Sequence, residues 1–228
     1  MTDAPNILYE DNHLLIALKP TNMPVQADES GDDDLLTILR NYLIERYSKP
    51  GAAYLGLVHR MDRPVGGVVA FAKTSKAAAR LSEQLRAHSM RRIYRAVARG
   101  RIDGAGTLRD YLYKDTRSNT VSVVDANAPG ARAAVLRYEP LRFTDYIEPL
   151  SLVEIELETG RSHQIRVQLA HAGYPLWGDA RYGAGKPGQQ IALWGYELIL
   201  THPTRKEEMR FSAPMPNRDP WTRFNDYA

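Results

Sequence analysis

Three short segments of the chain hold side chains that could carry out chemistry, where an ordinary core segment would be apolar. They span residues 59–64, 91–100 and 159–173. Together they include one isolated carboxylate, a tyrosine, a histidine and a set of arginines: Asp62, Tyr94, His163, Arg60, Arg63, Arg91, Arg92 and Arg166. A carboxylate can attack an electrophilic carbon or accept a proton, and a nearby cation keeps it ionised. Taken alone, Asp62 is explained better by an ion pair with Arg60 or Arg63.

The sequence lacks the donor patterns of a transition-metal centre. It contains no cysteine, its six histidines are scattered, and no His-x-x-x-His or His-Glu-x-x-His pair occurs. Glycine-rich phosphate loops and a Gly-x-Ser-x-Gly nucleophile motif are missing as well. Asp32, Asp33 and Asp34 could bind magnesium, but a solvated turn before a helix explains them better. We therefore expect neither a metal nor an organic cofactor.

The charge distribution is compatible with a nucleic-acid partner. The net charge is only +3, but 23 of the 30 basic residues are arginines, and no acidic residue occurs between Gln84 and Ile102. Arginine suits phosphate contacts and base stacking better than lysine does. A solvated, arginine-rich helix end and strand would account for the same composition, so charge alone leaves both interpretations open.

The elements that position the three segments can be predicted from periodicity. Residues 51–64 lack a regular pattern and are predicted as a loop, which places Asp62 just before a buried strand at residues 67–72. Residues 93–98 are predicted as a strand with Tyr94, Ala96 and Ala98 on one face. Helix caps and apolar spacing predict three helices: Asp34 to Leu43, residues 76–88 after Thr74 and Ser75, and residues 162–172.

The remaining pattern predicts an α+β fold. A hairpin is expected at residues 7–9 and 14–18, and further strands at residues 120–124, 133–138, 152–157, 191–200 and 209–212. Strands outnumber helices and follow one another in hairpin order, which favours a mostly antiparallel sheet flanked by helices in a single domain over residues 1–228. No stretch approaches the roughly 20 apolar residues of a membrane span. With no secretion signal and no cysteine, we expect a cytoplasmic protein.

The three segments closely resemble the signature segments of the RluA-type pseudouridine synthases. Flanking stretches match too: residues 7–11, Lys19-Pro20, Gly178-Asp179, Tyr182-Gly183 and residues 200–203. The resemblance covers roughly residues 7–216, with mild departures at Met61, Asn22 and Ser162. It implies a catalytic domain that stands alone, without the small RNA-binding domain that many relatives carry before it. RNA capture is then expected to rest on the catalytic domain itself.

The resemblance also assigns roles to the residues of the segments. Asp62 is identified as the catalytic aspartate, acting as a nucleophile or as a base at the 2′ carbon, and Arg166 as its partner. Tyr94 is assigned to the uracil ring, as a stacking platform, a proton acceptor or both. Arg60 is expected to fill the gap left by an extruded uridine, or simply to contact phosphate. The other substrate-binding candidates are Arg63, His163, Arg91 and Arg92.

Structured ribosomal or transfer RNA is the expected partner, and the protein is expected to be a monomer. Two alternatives remain at this stage. One is a noncatalytic RNA-binding protein or RNA chaperone on the same scaffold, which would lack Asp62, Tyr94 or Arg166. The other is a cofactor-free hydrolase with paired carboxylates, which the absence of a second acid in the three segments disfavours.

Overall fold

The computed structural model of the protein describes residues 4–48, 50–183 and 185–227. The chain divides into two compact units, residues 1–91 with 195–213 (unit 1) and residues 92–194 with 214–228 (unit 2). In chain order the elements are β1 (Ile7–Glu10), β2 (Leu14–Lys19), α1 (Leu35–Arg46), β3 (Gly56–Leu57), β4 (Gly66–Ala72), α2 (Ser75–Arg86), β5 (Arg91–Arg99), β6 (Gly106–Asp115), β7 (Thr120–Val124), β8 (Arg132–Thr144), β9 (Leu150–Leu157), α3 (Gln164–His171), β10 (Leu193–Thr201), β11 (Glu208–Ser212) and a short 3-10 helix (Trp221–Tyr227).

Unit 1 is built on β4, the strand that follows Asp62. β4 pairs with β2 in an antiparallel register from Leu14 opposite Ala72 to Lys19 opposite Gly67. β1 extends the sheet beyond β2, β3 and β10 also pair with β4, and β11 pairs with β10. All seven residues of β4 are buried, which explains its continuous run of small and apolar residues.

The two helices of unit 1 begin where their capping residues predict. The side chain of Asp34 accepts a hydrogen bond from the amide of Thr37 at 3.0 Å, so α1 begins at Leu35. Thr74 caps α2 in the same way, through the amide of Ala77 at 3.1 Å. Each cap satisfies a backbone donor that the first helical turn leaves without a partner. The predicted positions of both helices are confirmed.

Unit 2 contains a five-stranded antiparallel sheet in the order β5-β9-β8-β6-β7. Its register defines two faces. On one face, Tyr94 of β5 lies opposite Ile155 of β9, which in turn lies opposite Tyr138 of β8. Helix α3 packs on this face through a cluster in which Val167 meets residues of β6, β7 and β8: Leu112, Val121 and Ala134. We call it the α3 face.

Unit 2 differs from the prediction in three elements: α3, β6 and the 3-10 helix Trp221–Tyr227, the last of which was not predicted. The predicted helix 162–172 begins only at Gln164, because His163 adopts a left-handed conformation with φ 51°. The strand β6 was not predicted, since a charged residue, Asp110, takes an inward position in its alternating pattern. The structure shows why that position tolerates a carboxylate. The amide of Gln168 on α3 donates to Asp110 at 2.7 Å, so the polar group is satisfied.

The predicted α+β architecture, with mostly antiparallel strands and flanking helices, is confirmed. The single domain over residues 1–228 stays a prediction. Among the described residues, no helix is both long and apolar enough to cross a membrane.

Candidate active site

Asp62 lies half-buried in the loop between β3 and β4, and the residues around it are anchored to the sheet of unit 1. The buried ring of His59 accepts a hydrogen bond from the amide of Ala70 at 3.2 Å. Met61 packs against Gly195 of β10, where an added Cβ would stand only 2.5 Å from the Met61 terminal methyl. Both contacts restrict the backbone on the amino-terminal side of Asp62, which favours one fixed position for its carboxylate.

Lys19 anchors the other side of the Asp62 loop. It is fully buried, and its ammonium donates to the backbone carbonyls of Pro20 at 2.9 Å, Met23 at 2.5 Å and Arg63 at 3.0 Å. Burial lowers the pKa of Lys19 to about 7, although the negative charge of Asp62 acts in the opposite direction. In the sequence, Lys19 stood out only as part of the Lys19-Pro20 stretch that matches the family outside the three segments. Its position after five apolar residues of β2 is the one signal that it would be buried.

The lowered pKa of Lys19 predicts a pH-dependent contribution to stability. Below about pH 7 the lysine is charged in both the folded and the unfolded state; between about 7 and the ordinary value of 10.5 only the unfolded state keeps the proton. The unfolded state then binds more protons, so the free energy of unfolding rises with pH in this window. We therefore expect the free energy of unfolding of the wild type to rise relative to that of Lys19→Met between about pH 7 and about pH 10. Urea unfolding at a series of pH values measures this difference.

Lys114→Met is the control for this measurement, because Lys114 is exposed and should show no such trend. A difference between wild type and Lys19→Met that stays constant with pH would contradict the expectation.

Two arginines flank Asp62, and the structure gives them different surroundings. Arg63 forms ion pairs with Asp32 and, at 3.8 Å, with Asp28 in the loop between β2 and α1. Its Nε also donates to the carbonyl of Asn22 at 3.2 Å. Arg60 is exposed and makes no hydrogen bond or ion pair with the described part of the chain. Arg60 is thus available to a ligand, whereas Arg63 would have to exchange partners.

In unit 2, Arg166 is held by a buried carboxylate. Arg166 projects from α3, and its Nε and Nη2 donate to the two oxygens of Asp179 at 2.8 and 2.9 Å. Burial alone would raise the pKa of Asp179, but the guanidinium and two backbone amides lower it below the ordinary value. Such a bidentate pair fixes the plane of the guanidinium. The predicted pairing of Arg166 with Asp62 stays a prediction.

Tyr182 joins Arg166 to His163. The guanidinium of Arg166 lies over its ring at 5.1 Å from the centroid, and its hydroxyl is 2.7 Å from Nδ1 of His163. The same hydroxyl accepts the amide of Val121 at 2.8 Å. Because the Tyr182 oxygen accepts the backbone amide, its own proton is available for donation to the imidazole nitrogen of His163. His163, the residue before α3, is therefore placed beside the Arg166 pair through its contact with Tyr182.

The turn before α3 is fixed by a buried glutamine. The side-chain oxygen of Gln164 accepts from the hydroxyl of Thr159 at 2.8 Å and from the amide of Arg161 at 3.0 Å. Its amide nitrogen donates to the carbonyl of Val135 on β8 at 3.1 Å. All of its polar atoms are thus used locally, so Gln164 holds the third segment on the sheet.

Tyr94 is buried on the α3 face of the unit 2 sheet, next to Ala96 and Ala98 on the same strand. Tyr94 and α3, which carries Arg166, therefore share one side of this sheet. Of the two arginines before Tyr94, Arg91 is exposed at the start of β5, and Arg92 is half-buried on the same face as Tyr94. The alternation predicted for this strand is confirmed.

Three residues of these clusters were missed as site residues: Lys19, Asp179 and Tyr182. Each was noted only as part of a flanking match. The signal for Asp179 and Tyr182 is weak in the sequence, because they lie 13 and 16 residues from Arg166 in a segment without periodicity. Only the return of this loop to α3 brings them into contact with Arg166.

Comparison with known proteins identifies the family of the chain. Residues 13–171 match the family described as RNA pseudouridylate synthase. The chain is 37% identical to an uncharacterized RNA pseudouridine synthase of Bacillus subtilis, over 92% of this chain and 68% of that protein. It is 34% identical to ribosomal large subunit pseudouridine synthase D of Pseudomonas aeruginosa, over 94% of this chain and 69% of that protein.

Among solved structures, human RNA pseudouridylate synthase domain containing 4 aligns with a TM-score of 0.76 at 22% identity, covering 93% of this chain and 89% of that one. This likeness shows a shared fold. The sequence matches show the family over most of the chain. The chain therefore belongs to the RluA-type family of RNA pseudouridine synthases, isomerases that convert uridine in RNA to pseudouridine.

Proposed function

We propose that the protein isomerises specific uridines in structured ribosomal or transfer RNA, with Asp62 as the catalytic group and with extrusion of the target base. Six relatives, among them the one from Pseudomonas aeruginosa, carry names that refer to the large ribosomal subunit, which makes ribosomal RNA the first substrate to test. The protein acts as a cytoplasmic monomer in this proposal, consistent with a chain that contains no cysteine.

The reaction breaks the bond from ribose carbon 1′ to uracil nitrogen 1 and forms a bond from carbon 1′ to uracil carbon 5. Carbon 5 loses a proton and nitrogen 1 gains one, so atoms and electrons balance without an oxidant or a second substrate. An ionised Asp62 either attacks the sugar or base covalently, or removes the proton at carbon 2′. Both routes need one carboxylate in a fixed position.

The anchored loop of Asp62 is the observation that supports this role most strongly. Contacts on both sides hold the loop: His59 and Met61 before Asp62, and the Lys19 ammonium at the carbonyl of Arg63 after it. A carboxylate held in this way needs little reorganisation when the substrate binds.

Arg60 suits the step in which the target uridine leaves the helix of the RNA. Extrusion of a base costs roughly a few kcal/mol, and a long cation that stacks and contacts phosphate offsets part of this cost. The exposed Arg60, two residues before Asp62 and without a partner in the described residues, can enter the gap without breaking a contact.

Arg60→Ala should slow turnover on a structured stem-loop by more than it weakens initial binding. A fluorescent uridine analogue at the target position should report slower unstacking in the variant. Arg86→Ala is the control, because Arg86 is exposed on α2 and pairs with Glu83 of the same helix. Equal losses in affinity and in rate would reduce Arg60 to a phosphate contact.

The proposed function is tested by mapping pseudouridines in ribosomal and transfer RNA from cells with and without the protein. Specific sites should disappear when the protein is removed, return with the wild type, and stay absent with Asp62→Asn. Unchanged maps in both RNA classes would overturn the proposed substrates.

A further inference from the structure

Arg92 carries a positive charge that forms no ion pair with a carboxylate of the described residues. Its Nε is buried and has no hydrogen-bond partner among the described residues. Its one hydrogen bond to them runs from Nη2 to the carbonyl of Leu157 at 3.5 Å, the outer limit for such a bond. Burial lowers the pKa of Arg92, whereas the neighbouring Tyr94 acts to raise it. A half-buried guanidinium in this position is costly unless an anion completes its hydrogen bonds.

The other buried or half-buried arginines nearby are compensated. Arg95, on the opposite face of β5, pairs with Glu154 at 3.4 Å, and Arg99 pairs with Glu148. Arg166 has both oxygens of Asp179. The buried Nε of Arg99 also lacks a hydrogen-bond partner among the described residues, but of these four arginines only Arg92 has no ion pair with them.

The third segment leaves room for this guanidinium at a glycine. A Cβ built on Gly160 would stand 2.5 Å from Nη1 of Arg92, so any side chain there would displace the guanidinium. The residue that follows, Arg161, is exposed and adds a second positive charge to the turn. The surroundings of Arg92 thus contribute a carbonyl, a glycine and a cation, but no described carboxylate.

Arg92 also has a defined relation to Tyr94. The two residues are separated by one position on β5, so both side chains project from the α3 face, about 7 Å apart along the strand. That spacing is comparable to the span of one nucleotide from its phosphate to its base. An RNA phosphate also matches the planar fork of a guanidinium, which offers parallel donors to two oxygens.

We propose that Arg92 binds one backbone phosphate of the RNA, and that this phosphate belongs to the nucleotide whose uracil lies on Tyr94. This inference rests on the proposed function and names the group of the substrate that completes the site. It also implies that Arg92 lowers the stability of the free protein in exchange for RNA binding.

The test uses Asp62→Asn protein, so that bound RNA is not converted, and a stem-loop carrying the mapped target uridine. Adding Arg92→Met should weaken binding about tenfold and reduce the slope of log affinity against log salt by about 0.7–0.9, the value for one phosphate contact. The melting temperature of the free protein should rise or stay unchanged. Arg95→Met is the matched control on the other face of β5 and should leave the salt slope unchanged.

A stem-loop with a single neutral methylphosphonate at the 5′ phosphate of the target uridine identifies the phosphate. It should weaken binding to Asp62→Asn protein by the same factor as Arg92→Met, and combining the two changes should cause no further loss. Additive losses would place the contact of Arg92 elsewhere and overturn the inference. If Arg92→Met does not fold, Arg92→Gln takes its place in the same cycle.

The two proposals can fail separately. If wild-type protein forms pseudouridine in the stem-loop but neither Arg92→Met nor the methylphosphonate changes binding, only the inference about Arg92 is wrong. If wild-type protein forms no pseudouridine in any mapped RNA, the proposed function is wrong, whatever Arg92 binds.

Discussion

Asp62→Asn should bind a substrate stem-loop with nearly wild-type affinity and form no detectable pseudouridine. The amide keeps the size and most of the hydrogen-bonding capacity of the carboxylate, so the anchored loop should keep its conformation. It cannot attack the sugar or base as an anion, and it cannot accept a proton at carbon 2′. Removing the general base alone would cost about 10²–10⁴-fold in rate, and removing a covalent nucleophile leaves no equivalent route.

Tritium release from RNA labelled at uridine carbon 5 measures this loss, and salt-dependent binding with thermal unfolding shows that the variant is intact. Asp33→Asn is the matched control, because Asp33 is an exposed carboxylate of the same unit without a described partner. Turnover by Asp62→Asn within tenfold of the wild type would remove Asp62 from the centre of the mechanism.

Tyr94→Phe should bind RNA normally and lose most product formation, about 10²–10⁴-fold, if the hydroxyl accepts the proton from carbon 5. The phenyl ring keeps the stacking platform, which is worth roughly 1–3 kcal/mol per base. A phenol is a weak base near neutral pH unless a cation stands nearby. Arg166 of α3 is one candidate for this cation, and its guanidinium is also paired with Asp179. The structure adds Arg92, whose charge interacts with Tyr94 on the same face of β5.

Tyr94→Ala separates the two roles of the ring and the hydroxyl. It should lose binding of the extruded base as well as turnover, whereas Tyr94→Phe loses turnover alone. Tyr113→Phe is the control, because Tyr113 is 42% exposed on β6 and has no described partner. Wild-type turnover by Tyr94→Phe on the same RNA would show that the hydroxyl is idle and that Tyr94 acts only as a platform.

The comparisons decide between the alternatives that the sequence left open. Because the chain belongs to a family of pseudouridine synthases, a noncatalytic RNA-binding protein and a hydrolase with paired carboxylates are both set aside. The shared fold does not determine whether ribosomal or transfer RNA is the substrate, because proteins recognise structured RNA by its shape and by its unpaired bases.

The sequence by itself determined the local features of this protein. The caps at Asp34 and Thr74, the apolar run of β4 and the alternation around Tyr94 depend on neighbours a few residues away, so periodicity predicted them correctly. The three polar segments also stood out by composition. Their order indicated a function only through the resemblance to one family, because the sequence alone does not reveal how the segments are arranged in space.

Only the tertiary structure decided which groups form hydrogen bonds and ion pairs with the polar residues of these segments. Lys19 reaches the carbonyl of Arg63 across 44 residues, and Asp179 returns to Arg166 through a loop without periodicity. Neither contact leaves a regular spacing, because a buried charge is satisfied by whichever group the fold brings within about 3 Å. For the same reason, the family resemblance assigned Arg91, Arg92 and Arg63 one common role as substrate-binding candidates. The structure separates an exposed Arg91, an Arg63 paired with carboxylates, and an Arg92 whose buried Nε has no partner in the described residues.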